Sequence, residues 1–276
     1  MDLYAVVGNP VKHSLSPEIH QAFAAETGER LRYDKLFAPV DGFAATAAEF
    51  FAHGGRGLNV TLPFKGEACR WVAQAQPAAA RCGAVNTIAL EGGKTLGFNT
   101  DGIGLVRDLE AQAVRITGRS LLLIGAGGAV SGILDALVEA DPAAVLIANR
   151  TFAKAEALAE RHGAMVSASS LEGLDGRFDL IINGTSVGVS DISADPDGEA
   201  GLISPRLAAG AQCYDLFYSR DGQTPFCRWA KRAGAAWVSD GLGMLVEQAA
   251  AAFAIWRGRA PSTRDLLRSL RSGTAA

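Results

Sequence analysis

Cysteine and histidine are scarce here, four of each in 276 residues, and neither set is spaced for joint work. Cys69, Cys82, Cys213 and Cys227 are scattered without a CxxC step. They read as buried free thiols of a reducing compartment, not as a disulfide framework. His13, His20, His53 and His162 show no ligand spacing, so no metal site is expected. The formal net charge is only -3, with no basic run or stripe, which argues against nucleic acid as a main partner. No apolar stretch has the length of a membrane span, and the alanine-rich run near the C-terminus carries Glu247 and Gln248. Met1-Asp2-Leu3-Tyr4 enters a strand at once, without the basic and apolar regions of a secretory signal. A soluble, cytoplasmic protein is expected, with a small molecule as its partner and neither nucleic acid nor membrane.

What is present is ample core material. Hydrophobic residues make up 49% and charged ones 20%, and the length suits two modest domains or one large one. The organising stretch is 120–151. The apolar run Leu121-Leu122-Leu123-Ile124 reads as a buried strand and stops at Gly125-Ala126-Gly127-Gly128, where a helical pattern begins. A second buried strand, 144–148, ends in Asn149-Arg150-Thr151. Strand, glycine turn, helix, strand is the first half of a dinucleotide-binding unit. Glycines let the backbone approach a pyrophosphate, and the helix start offers free N–H groups and the positive end of its dipole. The usual third glycine would fall at Val130. An NAD site usually closes the second strand with Asp or Glu, to accept from the ribose 2′-OH. Here Asn149 and Arg150 follow, with Lys154 one helical turn on. Two cations and no carboxylate predict NADP, whose 2′-phosphate a guanidinium matches.

Elsewhere strands and helices alternate. Strands are expected at 3–7, 33–37, 57–62, 85–90 and 95–98. Helices are expected from Ser16-Pro17 to Gly28, over 43–52, from about Lys65, and from Asn99-Thr100-Asp101 to about 112. The alternation argues a mostly parallel sheet with helices on both faces. After 151 come a helix over 154–162, strands at 164–167, 179–183, 212–216 and 236–238, and a helix over 224–234. A polar loop, 184–204, interrupts them, and helices over 242–256 and 262–272 finish the chain.

Several strand ends carry polar groups that a turn would not need: Ser14 and Ser16, Asn59 and Thr61, Lys65, Asn86 and Asp101. Ligands bind at the carboxyl edge of parallel α/β sheets, so these groups are candidates for one polyhydroxylated or carboxylated ligand. Bland roles are equally available. Ser16 and Asp101 suit helix caps, Asn86 suits a buried backbone partner inside a strand, Lys65 suits a solvated helix start, and Tyr218 suits packing.

Taken together, the motifs resemble the shikimate dehydrogenase family over nearly the whole chain. The resemblance is carried by Gly8-Asn9-Pro10, Ser14-Leu15-Ser16-Pro17, Asn59-Val60-Thr61-Leu62-Pro63-Phe64-Lys65, Ala84-Val85-Asn86-Thr87 and Gly97-Phe98-Asn99-Thr100-Asp101-Gly102. The glycine turn, Asn149-Arg150-Thr151, Tyr214-Asp215 with Tyr218, and Asp240-Gly241-Leu242-Gly243-Met244 to Gln248 complete it. It implies a two-domain α/β fold. An N-terminal substrate domain, 1–101 plus 243–276, would include C-terminal helices that return to it. A Rossmann-like, doubly wound NADP domain would span 102–242.

The implied activity is NADP-dependent, reversible reduction of 3-dehydroshikimate to shikimate, in aromatic amino-acid biosynthesis. The implied substrate contacts are Ser14, Ser16, Thr61 and Tyr218 for a carboxylate, and Asn59, Lys65, Asn86, Asp101 and Gln248 around ring hydroxyls. Lys65 and Asp101 match the catalytic pair. Whether Lys65 titrates or only stabilises developing charge stays open. Implied cofactor contacts are Gly125, Ala126, Gly127, Gly128 and Ala129 at the turn, and Asn149, Arg150, Thr151 and Lys154 at the second strand. Leu216, Gly241 and Met244 would lie near the nicotinamide. Gly184 departs from the family, where alanine is commoner. The alternatives are an NAD-preferring quinate/shikimate dehydrogenase and a catalytically silent nucleotide-binding sensor. A monomer or a homodimer fits equally.

Overall fold

A computed structural model describes residues 1–185 and 202–273. The chain divides into two compact units, Met1–Gly104 with Leu245–Ala276, and Leu105–Met244. Most of the expected polar loop, 186–201, lies outside the described residues. No helix among the described residues is long and apolar enough to cross a membrane.

The first unit begins with β1 (Asp2–Gly8), α1 (Ser16–Thr27), β2 (Leu31–Phe37), α2 (Phe43–Ala52), β3 (Gly55–Val60) and α3 (Lys65–Trp71). It continues through β4 (Gln74–Ala75), α4 (Pro77–Cys82), β5 (Thr87–Glu91), β6 (Lys94–Phe98) and the start of α5 (Asp101–Ala111). The sheet order is β2-β1-β3-β5-β6-β4. β1 runs parallel to β2 and β3, but β5 is antiparallel to both β3 and β6. The expectation of a mostly parallel sheet therefore fails at one hairpin. Gly92 and Gly93, at φ 56° and 78°, form a two-residue turn between paired Glu91 and Lys94. Such a turn is the primed type, and it can join only antiparallel strands.

The reversal matters for position. The start of β5 lies beside the ends of its neighbours, with Thr87 opposite Asn59 and Phe98. One layer of the core packs Phe43, Phe50, Leu58, Val60 and Phe64 together. The opposite layer packs Tyr4, Val6 and Tyr33 against Trp256. Burying one such aromatic or leucine stabilises the unit by about 1.5–3 kcal/mol.

The second unit holds β7 (Ser120–Ile124), α6 (Gly128–Glu139), β8 (Ala144–Ala148), α7 (Phe152–Ala159), β9 (Val166–Ser169) and β10 (Leu180–Asn183). It closes with α8 (Pro205–Ala208), β11 (Gln212–Asp215), α9 (Pro225–Arg232), β12 (Trp237–Asp240) and the start of α10 (Leu242–Arg257). Its sheet, β12-β11-β10-β7-β8-β9, is parallel throughout. That is the doubly wound nucleotide order, with its reversal point between β7 and β10. Fully buried Leu121, Leu123, Ile133, Leu137, Ile147 and Ile182 fill one face. Leu122, Ile181, Cys213 and Trp229 help fill the other.

α10 and α11 (Arg264–Ser272) complete the first unit. Trp256 lies on β3 because residue 57 has no side chain: a Cβ there would come within 2.4 Å of the indole Nε1. That Nε1 donates to the Ile88 carbonyl at 3.0 Å. Next to it, Arg257 pairs with Glu29 and Asp2.

The two departures in the nucleotide unit, Val130 and Gly184, meet in space. A Cβ on Gly184 would lie 2.4 Å from the Val130 Cγ2. Valine is stiff in a helix, so the methyl has little room to move. Gly184→Ala should cost about 1–3 kcal/mol in this background and much less with Val130→Ala. An equal loss of Tm in both backgrounds, by calorimetry, would show that the contact does not constrain position 184.

Candidate active site

The first unit gathers five of the expected polar residues into one bonded network. Lys65, the first residue of α3, donates from Nζ to the Asp101 Oδ2 at 2.5 Å across 36 residues. The Asp101 Oδ1 accepts from the Asn86 Nδ2 at 2.8 Å. Asn86 Nδ2 also reaches the Thr100 Oγ1 at 2.9 Å and the Gln248 Oε1 at 3.3 Å. Asn59 Nδ2 donates to the Asn86 carbonyl and to the Thr87 Oγ1 at 3.2 and 3.0 Å. The Asp101 side chain is 7% exposed and that of Lys65 19%, so the carboxylate is enclosed while the amine keeps an open side. Among the described residues Lys65 Nζ makes only this one side-chain hydrogen bond, and an ammonium has three donors.

The structure corrects three local readings. Asn86 does not lie inside a strand; it stands one residue before β5. Because β5 runs backwards, that start is at the edge where β3 ends. Ser16 is not a cap: α1 starts at Ser16, its N-cap is Leu15, and no side chain caps it. The Ser14 Oγ instead accepts from the Ser16 backbone N at 3.2 Å and donates to the Ser16 Oγ at 3.1 Å. Asp101 does not cap α5, of which it is the first residue. The Asn99 Oδ1 takes the Asp101 N–H at 2.9 Å, which leaves the Asp101 carboxylate for Lys65 and Asn86. Thr61 lies just past the end of β3, half-buried, its N–H on the Val7 carbonyl. Tyr218 belongs to the other unit, half-buried beside Phe217.

In the second unit the glycine turn follows β7 at the reversal point of the sheet. Gly125 has φ +106°, which a side chain would resist. α6 starts at Gly128, with Gly127 as an N-cap that makes no side-chain hydrogen bond. Among the described residues, and apart from the adjoining backbone, no atom lies within 4 Å of a Cβ built at Gly127 or Gly128. Flanked by half-buried Ala126 and Ala129, these glycines form a cradle that exposes first-turn N–H groups, the donor set a pyrophosphate needs. At the end of β8 the Asn149 Nδ2 donates to the Thr151 carbonyl at 2.9 Å. Arg150, Thr151 and Lys154 are exposed, and neither cation makes an ion pair among the described residues. The donors fit a dinucleotide with a phosphate on its ribose. No group of acids, histidines and cysteines among the described residues is arranged to hold a metal ion.

Three family models match successive parts of the chain. Residues 6–88 match the model of the shikimate dehydrogenase substrate binding domain. Residues 108–192 match that of shikimate / quinate 5-dehydrogenase, and 241–271 that of the shikimate 5'-dehydrogenase C-terminal domain. The chain belongs to the shikimate dehydrogenase family. It is 49% identical to the shikimate dehydrogenase (NADP(+)) of Alkalilimnicola ehrlichii, covering 98% of each chain. To that of Hahella chejuensis it is 50% identical, covering 99% of this chain and 100% of the other. Its fold is similar to the crystal structure of shikimate 5-dehydrogenase from Thermus thermophilus in complex with NADP(H) and shikimate. That similarity has a TM-score of 0.85 at 37% identity, over 99% of each chain.

Four residues given no site role from the sequence join the substrate-unit network: Tyr33, Thr87, Asn99 and Thr100. Asp215 and Asp240 end successive parallel strands, and acids in that position were the available signal. The Asp215 Oδ1 accepts from Asn183 Nδ2 at 2.9 Å and from the Phe217 N–H at 3.2 Å, and its Oδ2 from Thr224 Oγ1 at 2.5 Å. The Asp240 Oδ2 accepts the Ser219 N–H at 2.9 Å. Together they hold the segment that carries Leu216 and Tyr218. Gly241 closes on the same segment, since a Cβ there would meet the Leu216 carbonyl oxygen at 2.5 Å. Leu216 and Met244 pack on the apolar core.

Burial pushes the Asp215 carboxyl up to about 6, against the pull of its hydrogen-bond donors. In the unfolded chain it would ionise near the usual 3.8. The folded form is therefore favoured by the neutral acid, and that contribution is lost as pH rises from about 4 through 6. Asp215→Asn removes the titration. Its Tm relative to the parent should rise between pH 4 and 7 and then level off; a difference independent of pH would contradict the raised carboxyl.

Proposed function

We propose that this chain catalyses the NADP-dependent, reversible reduction of 3-dehydroshikimate to shikimate in aromatic amino-acid biosynthesis. The observation that carries the reading is the Lys65–Asp101 contact at 2.5 Å, inside a polar network, in a member of the shikimate dehydrogenase family. NADPH, when bound, supplies the hydride. Lys65 faces the carbonyl being reduced and gives a proton to, or stabilises, the oxygen that gains charge. Asp101 orients the ammonium and accepts from the neighbouring hydroxyl. Asn86 holds Asp101 in that orientation through Oδ1. Asn59 and Gln248 meet the remaining hydroxyls. Ser14, Ser16 and Thr61 hold the substrate carboxylate with neutral donors.

On the cofactor side, Gly125 to Ala129 take the pyrophosphate on backbone N–H groups. Arg150 and Lys154 take the 2′-phosphate, with Asn149 and Thr151 shaping the turn beneath it. Leu216, Gly241 and Met244 border the nicotinamide. The NAD-preferring and silent-sensor alternatives are not favoured: the curated relatives are named for NADP(+), and both Lys65 and Asp101 are present. None of the four cysteines is in a disulfide, and burial pushes Cys213 and Cys227 up to about 12. Such inert thiols suit the reducing cytoplasm, where the chain would work as a monomer or homodimer.

The reading is tested by following the absorbance of NADPH with shikimate and with quinate; no turnover of shikimate would overturn it. Lys65→Ala should lower kcat by about a hundredfold or more, and an unchanged kcat with raised KM would make Lys65 a binding residue only. Arg150→Ala should raise KM for NADP while leaving that for NAD nearly unchanged; an intact preference for NADP would remove Arg150 from the phosphate site.

A further inference from the structure

Two buried polar side chains that the chemistry does not use stand at the start of α10. Asp108, on α5, is 2% exposed, and Tyr214, on β11, is fully buried. The Tyr214 hydroxyl donates to the Asp108 Oδ2 at 2.6 Å, and the Gln112 Nε2 donates to the same oxygen at 3.0 Å. All three residues belong to the second unit, as do Gly243 and Met244. We propose that Tyr214 and Asp108 are positioning residues for hydride transfer, which fix the first turn of α10 and so hold Met244 against the nicotinamide. This rests on the reading of Met244 as a cofactor neighbour.

A count of free N–H groups leads there. α10 starts at Leu242, so the backbone N–H groups of Leu242, Gly243 and Met244 have no partner within the helix. The Leu242 N–H goes to the Asp240 Oδ1 at 3.3 Å. The Met244 N–H has the Tyr214 hydroxyl as its hydrogen-bond neighbour. A phenol has one hydrogen to give, and its oxygen also accepts. That hydrogen goes to Asp108, so toward Met244 the oxygen can only accept. Burial first, and then the Asp108 charge, push the Tyr214 hydroxyl well above its ordinary range, so it keeps the proton that this arrangement needs.

Between those two residues, Gly243 leaves its side-chain space to Asp108. A Cβ there would lie 2.0 Å from the Asp108 Oδ1 and 2.3 Å from the carboxyl carbon. A carboxylate at that point meets the positive end of the α10 dipole, a favourable seat for a buried anion. The tyrosine is held in turn. Its ring stacks on Trp237 with centroids 6.3 Å apart, and it is part of the apolar cluster on which Leu216 and Met244 pack. Backbone acceptor and side-chain packing thus reach Met244 from one residue. Hydride transfer feels such placement, since a shift of about 1 Å at the reacting atoms costs up to about a hundredfold.

Tyr214→Phe keeps the ring and its stack and removes the oxygen. In a single turnover of NADPH with 3-dehydroshikimate, followed by absorbance, the rate of hydride transfer should fall by about tenfold or more. Kd for NADPH, by fluorescence titration, should stay within about threefold, because the phosphate contacts are untouched. Lost stability alone would lower the amplitude of the turnover and leave its rate intact. That result, or a rise in Kd as large as the fall in rate, would overturn the proposal. Asp108→Asn, with its oxygen left on Tyr214, puts an amide NH2 where Oδ1 faces the helix start, and should slow transfer by a similar factor. The two changes together should cost clearly less than the product of their separate effects; a full product would count against a shared role. In a Met244→Ala background, Tyr214→Phe should add less than about twofold, and a full effect there would overturn the proposal. Met244→Ala by itself tells the two possible failures apart. A parent rate of transfer in that variant would refute the placing of Met244 at the nicotinamide, and the proposal with it. A slowed Met244→Ala beside an unaffected Tyr214→Phe would refute the positioning role alone.

Discussion

An enclosed carboxylate with a cation against it is the constraint that the substrate unit is built to meet. Taking Asp101 and Lys65 out of water is costly, and their mutual attraction repays it only if the remaining lone pairs are satisfied. Asn86 does that for one carboxylate oxygen and Lys65 for the other. Asn86 can do so because its own oxygen is held by the Thr100 backbone N–H and the Thr87 hydroxyl. Asn99 frees Asp101 by taking over the start of α5. The Lys65 carbonyl, in turn, accepts from the Val85 N–H at 2.9 Å, which ties the lysine to the strand that Asn86 precedes. Without the backward run of β5, Asn86 and Thr87 would not start at the edge where β3 ends.

Much of this was legible in the chain, and the failures have physical causes. The buried parallel strands of the nucleotide unit read cleanly because Leu121 to Ile124 and 144–148 are continuous apolar runs bounded by turn residues. α2 was legible to the residue, at Phe43–Ala52. Gly92-Gly93 marked a connection between two strands, but the general alternation of strand and helix suggested parallel pairing and hid the reversal. Separately, the strand was begun at Val85, two residues early, which put Asn86 inside it. β4, α4 and α8 were missed since two to six residues are too few for a period to repeat. Ser16-Pro17 looked like cap and first turn, whereas the helix begins one residue earlier and the serines bond to each other.

The candidate site was legible in its charged and amide members and not in its supporting ones. Lys65, Asp101 and Asn86 are conspicuous because charge and amides are costly in apolar strands. Tyr33 is not, for a tyrosine in a strand is ordinary packing until its hydroxyl is followed to Asn59. Val130 and Gly184 looked like two separate departures from expectation. In space they are one, since the methyl of the first occupies the room that a side chain at the second would need.

The substrate unit is assembled from two separated pieces of chain, while the nucleotide unit is one continuous piece. During synthesis on a ribosome, residues 105–244 emerge together and can pack at once. The earlier residues must wait with the bare strand at Gly57 and the Ile88 carbonyl uncovered until Trp256 and Arg257 leave the exit tunnel. The part made first is thus the part finished last, and it is during that interval that the nascent chain is open to chaperones and proteases.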